Sequence, residues 1–379
     1  MKIAFIYDAV YPWIKGGAEK RIYQLAKGLA DKGHDVHWYG VGWWWPESGK
    51  KDIELEGIKL HGVCKPVELY QDDRRSIKEA IYFALMLLFK LRAGKYDIID
   101  CQGFPFFSCF SAKFKTFFGR STLVITLHEV WNDYWYEYLG RAGLFGKLTE
   151  KLMVRLTDKI ITVSEKTKSD LWNIKPSEEA VVIPNGIDLE EINRIEPSPS
   201  KSDIIFVGRL IKEKKADLLI KSLTTAKNTF PDIKCTIVGE GPEKDHLEKL
   251  TNELGLKDNV IFTGFLEDYQ DVIAHMKSSK VLALPSVREG FGMVVMEANA
   301  CGVPVVVVDH PMNAAKNLIV EGENGFIADI LEDSLSNKIV EAIESKEKLV
   351  KSSKEFAKDY DWANIITQLE VTYWEFLIK

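Results

Sequence analysis

Residues 2–8 read KIAFIYD and residues 203–209 read DIIFVGR. Each is a short, unbroken run of β-favouring apolar residues that stops at a polar residue or glycine. An apolar run without polar alternation marks a strand buried on both faces, as in a parallel sheet covered by helices. Working outward from the first run, Ala18–Ala30 is helical and ends before Gly33, and Asp35–Tyr39 is the next strand. Ile98–Asp100, Thr122–Leu127 and Lys159–Val163 follow as strands, with helical patterns over Ser76–Arg92, Phe106–Phe117 and Gly146–Leu156 between them. From the second run the alternation restarts. Strands fall at Cys235–Val238, Val260–Phe262, Val281–Ala283 and Pro304–Val308, and helices at Lys215–Thr225, Lys244–Leu254, Asp268–Met276 and Gly292–Ala300. Strands alternating with helices predict an α/β fold of two Rossmann-like, doubly wound parallel-sheet domains facing across a cleft. The domains are set at 1–186 and 187–359, with a C-terminal helix, 360–379, packing back on the first. A Pro/Ser-rich run at 194–200 is a further boundary signal.

The 379 residues suit two cores rather than one. An apolar share of 46% and a charged share of 28% describe a globular chain and exclude disorder or a disulfide-framework miniprotein. Five scattered cysteines without a C-x-x-C pair read as reduced thiols of a cytoplasmic protein, with no zinc site. The net charge of −6 argues against a nucleic-acid partner. It is unevenly spread: residues 1–186 hold 27 Lys+Arg against 23 Asp+Glu, a balance of +4, and the remainder holds 23 against 33, a balance of −10. No secretion signal is expected, because Asp8 ends the first apolar run. The longest apolar stretch, Ala80–Phe89, is about half the length of a membrane span.

Arg209 and Lys214 follow a strand and precede a helix, where a planar guanidinium and an ammonium suit a diphosphate. In Pro285–Glu297 the turn Gly290-Phe291-Gly292 puts Glu289 in a loop and Glu297 two turns inside the next helix. The amides of Phe291, Gly292, Met293 and Val294 then face an anion at the helix N-terminus. Solvated carboxylates beside a plain turn are the blander alternative. Gly16 and Gly17 open the first helix and allow close approach of a phosphate or sugar, or simply a tight turn. His128 ends a strand, where it can donate to or position a polar substrate, although a lone histidine is more often structural. Ser164 reads as a helix N-cap and Pro184–Asp188 as a turn, both architectural. Neither G-x-G-x-x-G nor a Walker A loop is present.

Taken in order, Gly16–Glu19, Thr126–His128, Thr162–Glu165, Ile183–Asp188, Val207–Leu210 with Lys214, Gly239–Pro242 and the Glu289/Glu297 pair resemble the retaining nucleotide-sugar glycosyltransferases of family four. These are the group-one glycosyltransferases of GT-B fold, and the resemblance spans the chain. It implies that Arg209 and Lys214 neutralise the leaving diphosphate and that Glu297 holds the nucleotide ribose. Glu289 and the Gly290–Val294 segment hold sugar and phosphate, Gly16 and Gly17 border the phosphate, and His128 contacts the sugar. It also implies a retaining hexosyltransferase with no cofactor and no metal, whose partners are a nucleotide-diphosphate sugar and a glycan or lipid-linked acceptor. Lys215, Asn313-Ala314-Ala315 and Asn317 depart from the family pattern.

The alternatives are a sugar-nucleotide epimerase of the same fold, a non-catalytic sugar-nucleotide-binding protein, and a nicotinamide oxidoreductase, the last disfavoured by the missing fingerprint. A further expectation is peripheral contact with the inner face of a membrane. Its two candidate surfaces are Trp43–Trp45 beside Lys50-Lys51, and Phe104–Phe118 with Lys113 and Lys115. The run Trp131, Tyr134, Trp135, Tyr136 and Tyr138 is a candidate for sugar stacking or core packing.

Overall fold

The computed structural model describes residues 1–71, 74–176 and 180–378, so Lys379 of the expected terminal helix lies outside the described residues. The chain divides into two units, residues 1–185 with the C-terminal helix, and Gly186–Asp361.

In the first unit β1 (Lys2–Ile6), α1 (Gly17–Asp31) and β2 (Asp35–Gly40) form a βαβ turn, followed by α2 (Trp45–Ser48), β3 (Asp52–Leu55) and β4 (Ile58–Gly62). The short pair β5 (Tyr70–Gln71) and β6 (Arg74–Arg75) leads to α3 (Ile77–Lys90) and β7 (Ile98–Gln102). Then come α4 (Phe107–Phe117), β8 (Thr122–Leu127), α5 (Tyr134–Leu139), α6 (Gly143–Met153), β9 (Ile160–Thr162), α7 (Glu165–Ile174) and β10 (Val181–Val182). Among the described residues the main sheet runs β10-β9-β8-β7-β1-β2-β4-β3, parallel except for β3 against β4. Strand order reverses between β1 and β7, the place where such sheets bind ligands beyond their carboxyl ends. Side chains of β1 alternate: Ile3 and Phe5 enter one core with Ile22 and Leu25 of α1, while Ala4 and Ile6 enter the other with Phe83 of α3.

The terminal helix α14 (Trp362–Ile378; α13 is introduced below) belongs to this unit. It lies on α1, where a side chain at Gly28 would collide with Ile366, and Glu370 accepts from Lys32 and pairs with His34 at 2.6 and 2.8 Å. Ser164 caps α7 by accepting from the Thr167 amide at 3.1 Å.

The second unit contains α8 (Leu189–Arg194), β11 (Ser202–Val207), α9 (Ala216–Ala226), β12 (Cys235–Val238), α10 (Lys244–Glu253) and β13 (Val260–Gly264). It continues with α11 (Tyr269–Lys277), β14 (Ser279–Leu284), α12 (Met293–Ala300), β15 (Val305–Val308), β16 (Gly325–Ala328) and α13 (Glu332–Lys358). All described strands are parallel in the order β13-β12-β11-β14-β15-β16, the doubly wound order with its reversal between β11 and β14. The Pro/Ser run at 194–200 lies inside this unit rather than between the two. It is held to α11, with the Ser198 amide donating to Ala274 O at 3.0 Å and Lys277 Nζ to Ile195 O at 2.6 Å.

Among the described residues no helix is long and apolar enough to cross a membrane.

Candidate functional site

In the second unit the loops after β11 and β14, the two strands flanking the reversal, meet directly. Lys214 Nζ lies 2.5 Å from Glu289 Oε1, with the two side chains 21% and 11% exposed. The backbones join as well, since the Val287 amide donates to Glu213 O at 2.9 Å. Glu289 is also tied to the segment after β15: its amide donates to Met312 O and its carbonyl accepts from Ala314 N. Arg209, in the loop just after β11, is exposed. Behind it the β12 loop comes very close, because Gly239, at φ +143°, leaves no room for a Cβ, which would sit 1.9 Å from Gly208 O. Lys215 adopts φ +52°, the left-handed conformation that glycine takes without strain, which accounts for glycine at this point of the family pattern.

Gly292 starts α12 at φ +99°, and a side chain there would press on Ala315. No side chain caps α12, so its first turn keeps the positive end of the helix dipole open. Because the helix begins at Met293, Glu297 sits just over one turn inside it, not two. Glu297 is buried against Tyr269 of α11. Burial first, then the adjoining carboxylate to which it donates, hold the Tyr269 phenol well above its ordinary value. Lys214, Glu289 and Gly290–Val294 are therefore brought together, while Glu297 is fixed by a tyrosine that sequence reasoning missed.

In the first unit Gly16 and Gly17 are exposed at the start of α1, again without a side-chain cap. Glu19 folds back over them, its Oε2 2.3 Å from where a Gly16 Cβ would stand. Burial raises its carboxyl above the usual range. His128 directly follows β8, and its Nε2 faces Gln102 Oε1 at 2.8 Å. The Gln102 amide nitrogen donates to Asp100 Oδ1 at 3.0 Å, which turns its carbonyl to the imidazole and makes Nε2 the protonated nitrogen. Asp100 also accepts from Thr126 at 2.8 Å and from Tyr373 of α14 at 2.6 Å. Burial, with a smaller push from Arg21, drives the His128 pKa down to about 3. The expectation that His128 donates to substrate is corrected at Nε2, which is committed to Gln102; Nδ1 is left as an acceptor.

Near the end of β1, Arg75 pairs with Asp8. Neighbouring Glu79 is pushed up to about 9 by burial and by the Asp8 charge.

Comparison with known proteins agrees with this geometry. The profile for glycosyl transferases group 1 matches residues 188–359, and that for glycosyltransferase family 4 matches 15–191. An uncharacterised glycosyltransferase of Methanocaldococcus jannaschii is 30% identical over 333 residues, covering 81% of this chain and 80% of its own. The chain belongs to the group 1 glycosyltransferases. This glycosyltransferase is also 29% identical to one subunit of the human phosphatidylinositol N-acetylglucosaminyltransferase, over 98% of this chain and 75% of that protein. Anabaena HepE, solved in complex with UDP, superposes with a TM-score of 0.76 at 22% identity over 99% of this chain and all of its own, a likeness of fold.

The first expected membrane surface of this glycosyltransferase is not one. Trp44 is fully buried, Trp43 Nε1 donates to Asp8 O at 3.0 Å, and the Trp45 ring covers Gly42 and Gly62 while its Nε1 donates to Lys51 O at 3.2 Å. The three tryptophans are structural. In the aromatic run, Trp131, Trp135 and Tyr138 pack with Phe104 and the core, and Tyr136 is exposed. Gln102, Asp100 and Tyr269 were not anticipated. Asp100 lies on β7 two residues before Gln102, which stands at that strand's carboxyl end beside the sheet reversal, a position that was a readable signal. Tyr269 gave none.

Proposed function

We propose that this glycosyltransferase moves a hexose-type sugar, with retention of anomeric configuration and without a metal, from a nucleotide-diphosphate donor to a glycan or lipid-linked acceptor. The observation that carries the reading is the Lys214–Glu289 pair joining the two loops at the sheet reversal, beside the uncapped start of α12. In this scheme the bond between the sugar's anomeric carbon and the diphosphate oxygen breaks, and its electron pair leaves on the phosphate. Arg209, Lys214 and the α12 amides stabilise that growing negative charge. The acceptor hydroxyl attacks on the face being vacated and passes its proton to the departing phosphate. Glu297, oriented by Tyr269, holds the ribose; Glu289 holds the sugar once donor binding draws Lys214 away from it. Gly16 and Gly17 border the phosphate, and His128 accepts from a sugar hydroxyl through Nδ1.

A lipid-linked acceptor is supported by the human relative, whose name states a phosphatidylinositol substrate. It is supported too by the exposed Phe114, Phe117 and Phe118 of the α4 region, interleaved with Lys113 and Lys115, which suit peripheral contact with an anionic bilayer. A thermal-shift screen of nucleotides and sugar nucleotides, followed by turnover with the best ligand, tests the donor assignment. Stabilisation by a nucleoside diphosphate and its sugar, with transfer in the presence of chelator, is the expected result. Turnover only after Mg²⁺ or Mn²⁺ is restored overturns the metal-free scheme.

A further inference from the structure

Two apolar stripes of the first unit lead to one cavity. On α3, Ile77, Ile81, Leu85 and Phe89 recur every four residues and are all exposed; on α6, Leu144, Leu148 and Leu152 have the same spacing and exposure, with exposed Phe145 beside them. Ile77 and Phe145 also form walls of a cavity of about 270 Å³, completed by Ala80, Phe106, Trp135 and Ala142 among others. An apolar cavity of about 150 Å³ already accommodates a benzene ring. This one is nearly twice that size.

The lining favours hydrocarbon over sugar. Its hydroxyls are already hydrogen-bonded within the protein: Ser76 caps α3, Tyr138 accepts from the Arg75 amide at 2.9 Å, and Thr149 donates to Phe145 O at 2.8 Å. The Arg75 guanidinium is paired with Asp8. With three hydroxyls, each already engaged once, in an otherwise apolar lining, a sugar buried here would leave most of its hydroxyls without partners, at about 1–3 kcal/mol each. The surroundings favour an anionic amphiphile. Residues 77–92, 107–120 and 141–155 hold ten Lys and Arg and two carboxylates, Glu79 and Glu150, both buried. The charge that these three segments expose to solvent is thus basic, and it lies among exposed phenylalanines and leucines.

We propose that this cavity receives one hydrocarbon chain of the lipid-linked acceptor, taken from the anionic bilayer on which the faces of α3, α4 and α6 rest; it depends on the reading that the acceptor is lipid-linked. Dansyl-undecanoic acid, titrated below its micelle-forming concentration without vesicles, probes the cavity alone. One saturable site is expected. Ala142→Trp, at an exposed wall, and Thr149→Phe should each weaken it at least tenfold while keeping the wild-type melting temperature. Phe117→Ser with Phe118→Ser, at the other end of α4, should leave probe affinity unchanged and cut recovery with phosphatidylglycerol vesicles. The probe should also inhibit transfer onto a cellular lipid extract competitively with that extract. Non-saturable binding, or binding indifferent to both filling variants, overturns the cavity, and non-competitive inhibition overturns its assignment to the acceptor. Saturable probe binding with no vesicle recovery overturns instead the lipid-acceptor reading beneath it.

Discussion

Replacing Lys214 by alanine removes the ammonium that bridges the β11 and β14 loops, and the structure sets the size of the effect. The side chain is 21% exposed, so an effective dielectric of about 20 is appropriate. At that dielectric an ammonium about 4 Å from a unit charge interacts by about 4 kcal/mol. Loss of the glycosidic bond places between about half and one unit of new charge on the leaving phosphate. Lys214→Ala then forfeits about 2–4 kcal/mol of transition-state stabilisation, a fall in kcat of between about 30- and 1,000-fold. The change also leaves Glu289, 11% exposed, without its ammonium partner. Removing one member of a buried pair costs up to about 3–5 kcal/mol, so some loss of melting temperature accompanies the loss of turnover and is read separately from it. Steady-state kinetics at saturating donor, with a thermal melt of the same sample, make the measurement. A kcat within threefold of wild type, or a loss confined to KM, would refute the assignment of Lys214 to the leaving group.

Glu297→Ala should raise the donor KM and spare kcat, because a ribose contact is made equally in ground and transition states. Tyr269→Phe should shift KM the same way by a smaller factor, since it frees the carboxylate without removing it; a collapsed kcat at normal KM in either variant contradicts the ribose role. Folded Glu79 keeps its proton up to about pH 9, whereas the unfolded chain releases it near the ordinary carboxyl value. The folded state therefore binds more protons in between, and this group's contribution to stability falls as pH rises from about 4.5 to about 9. Urea melts across that range should show a shallower decline for Glu79→Gln than for wild type, and parallel slopes would count against the buried, protonated state. His128, held near 3, stays neutral above about pH 4. Replacing it with Gln should therefore leave the shape of the kcat/KM pH profile between pH 5 and 8 unchanged, and loss of a titration there would contradict its neutrality.

How much of this could be read from the sequence depended on whether a residue's role was local. The central strands were legible because burial on both faces writes continuous apolar runs such as Val305–Val308, whereas β3 and β4, whose exposed and less exposed residues alternate, and the short β10 and glycine-led β16 were not anticipated. Lys214, Glu289 and the Gly290–Gly292 turn were legible because each follows a strand on its own loop. Their contact across 75 residues became visible only once the strand order had placed β11 beside β14. Helix α13 was passed over because its Lys-, Glu- and Ser-rich surface hides a buried stripe of Leu335, Ile339, Ala342, Leu349 and Ala357 that does follow helical spacing. The tryptophans at 43–45 misled for the opposite reason. Their seats are made by distant partners, Gly62 for Trp45 and Asp8 for Trp43, and nothing near them in sequence announces either. His128 was found by its place at a strand end, but which of its nitrogens is occupied depended on Gln102 and Asp100 on the neighbouring strand.

The central claim is sugar transfer with retention, driven by stabilisation of a leaving diphosphate. It is tested most directly by proton NMR of the reaction of purified protein with the sugar nucleotide found by thermal shift, in chelator, with a cellular lipid extract as acceptor. The account predicts that the anomeric proton of the product keeps the donor's configuration as nucleoside diphosphate accumulates. A product of inverted configuration, or interconversion of the donor with no acceptor added, would contradict it.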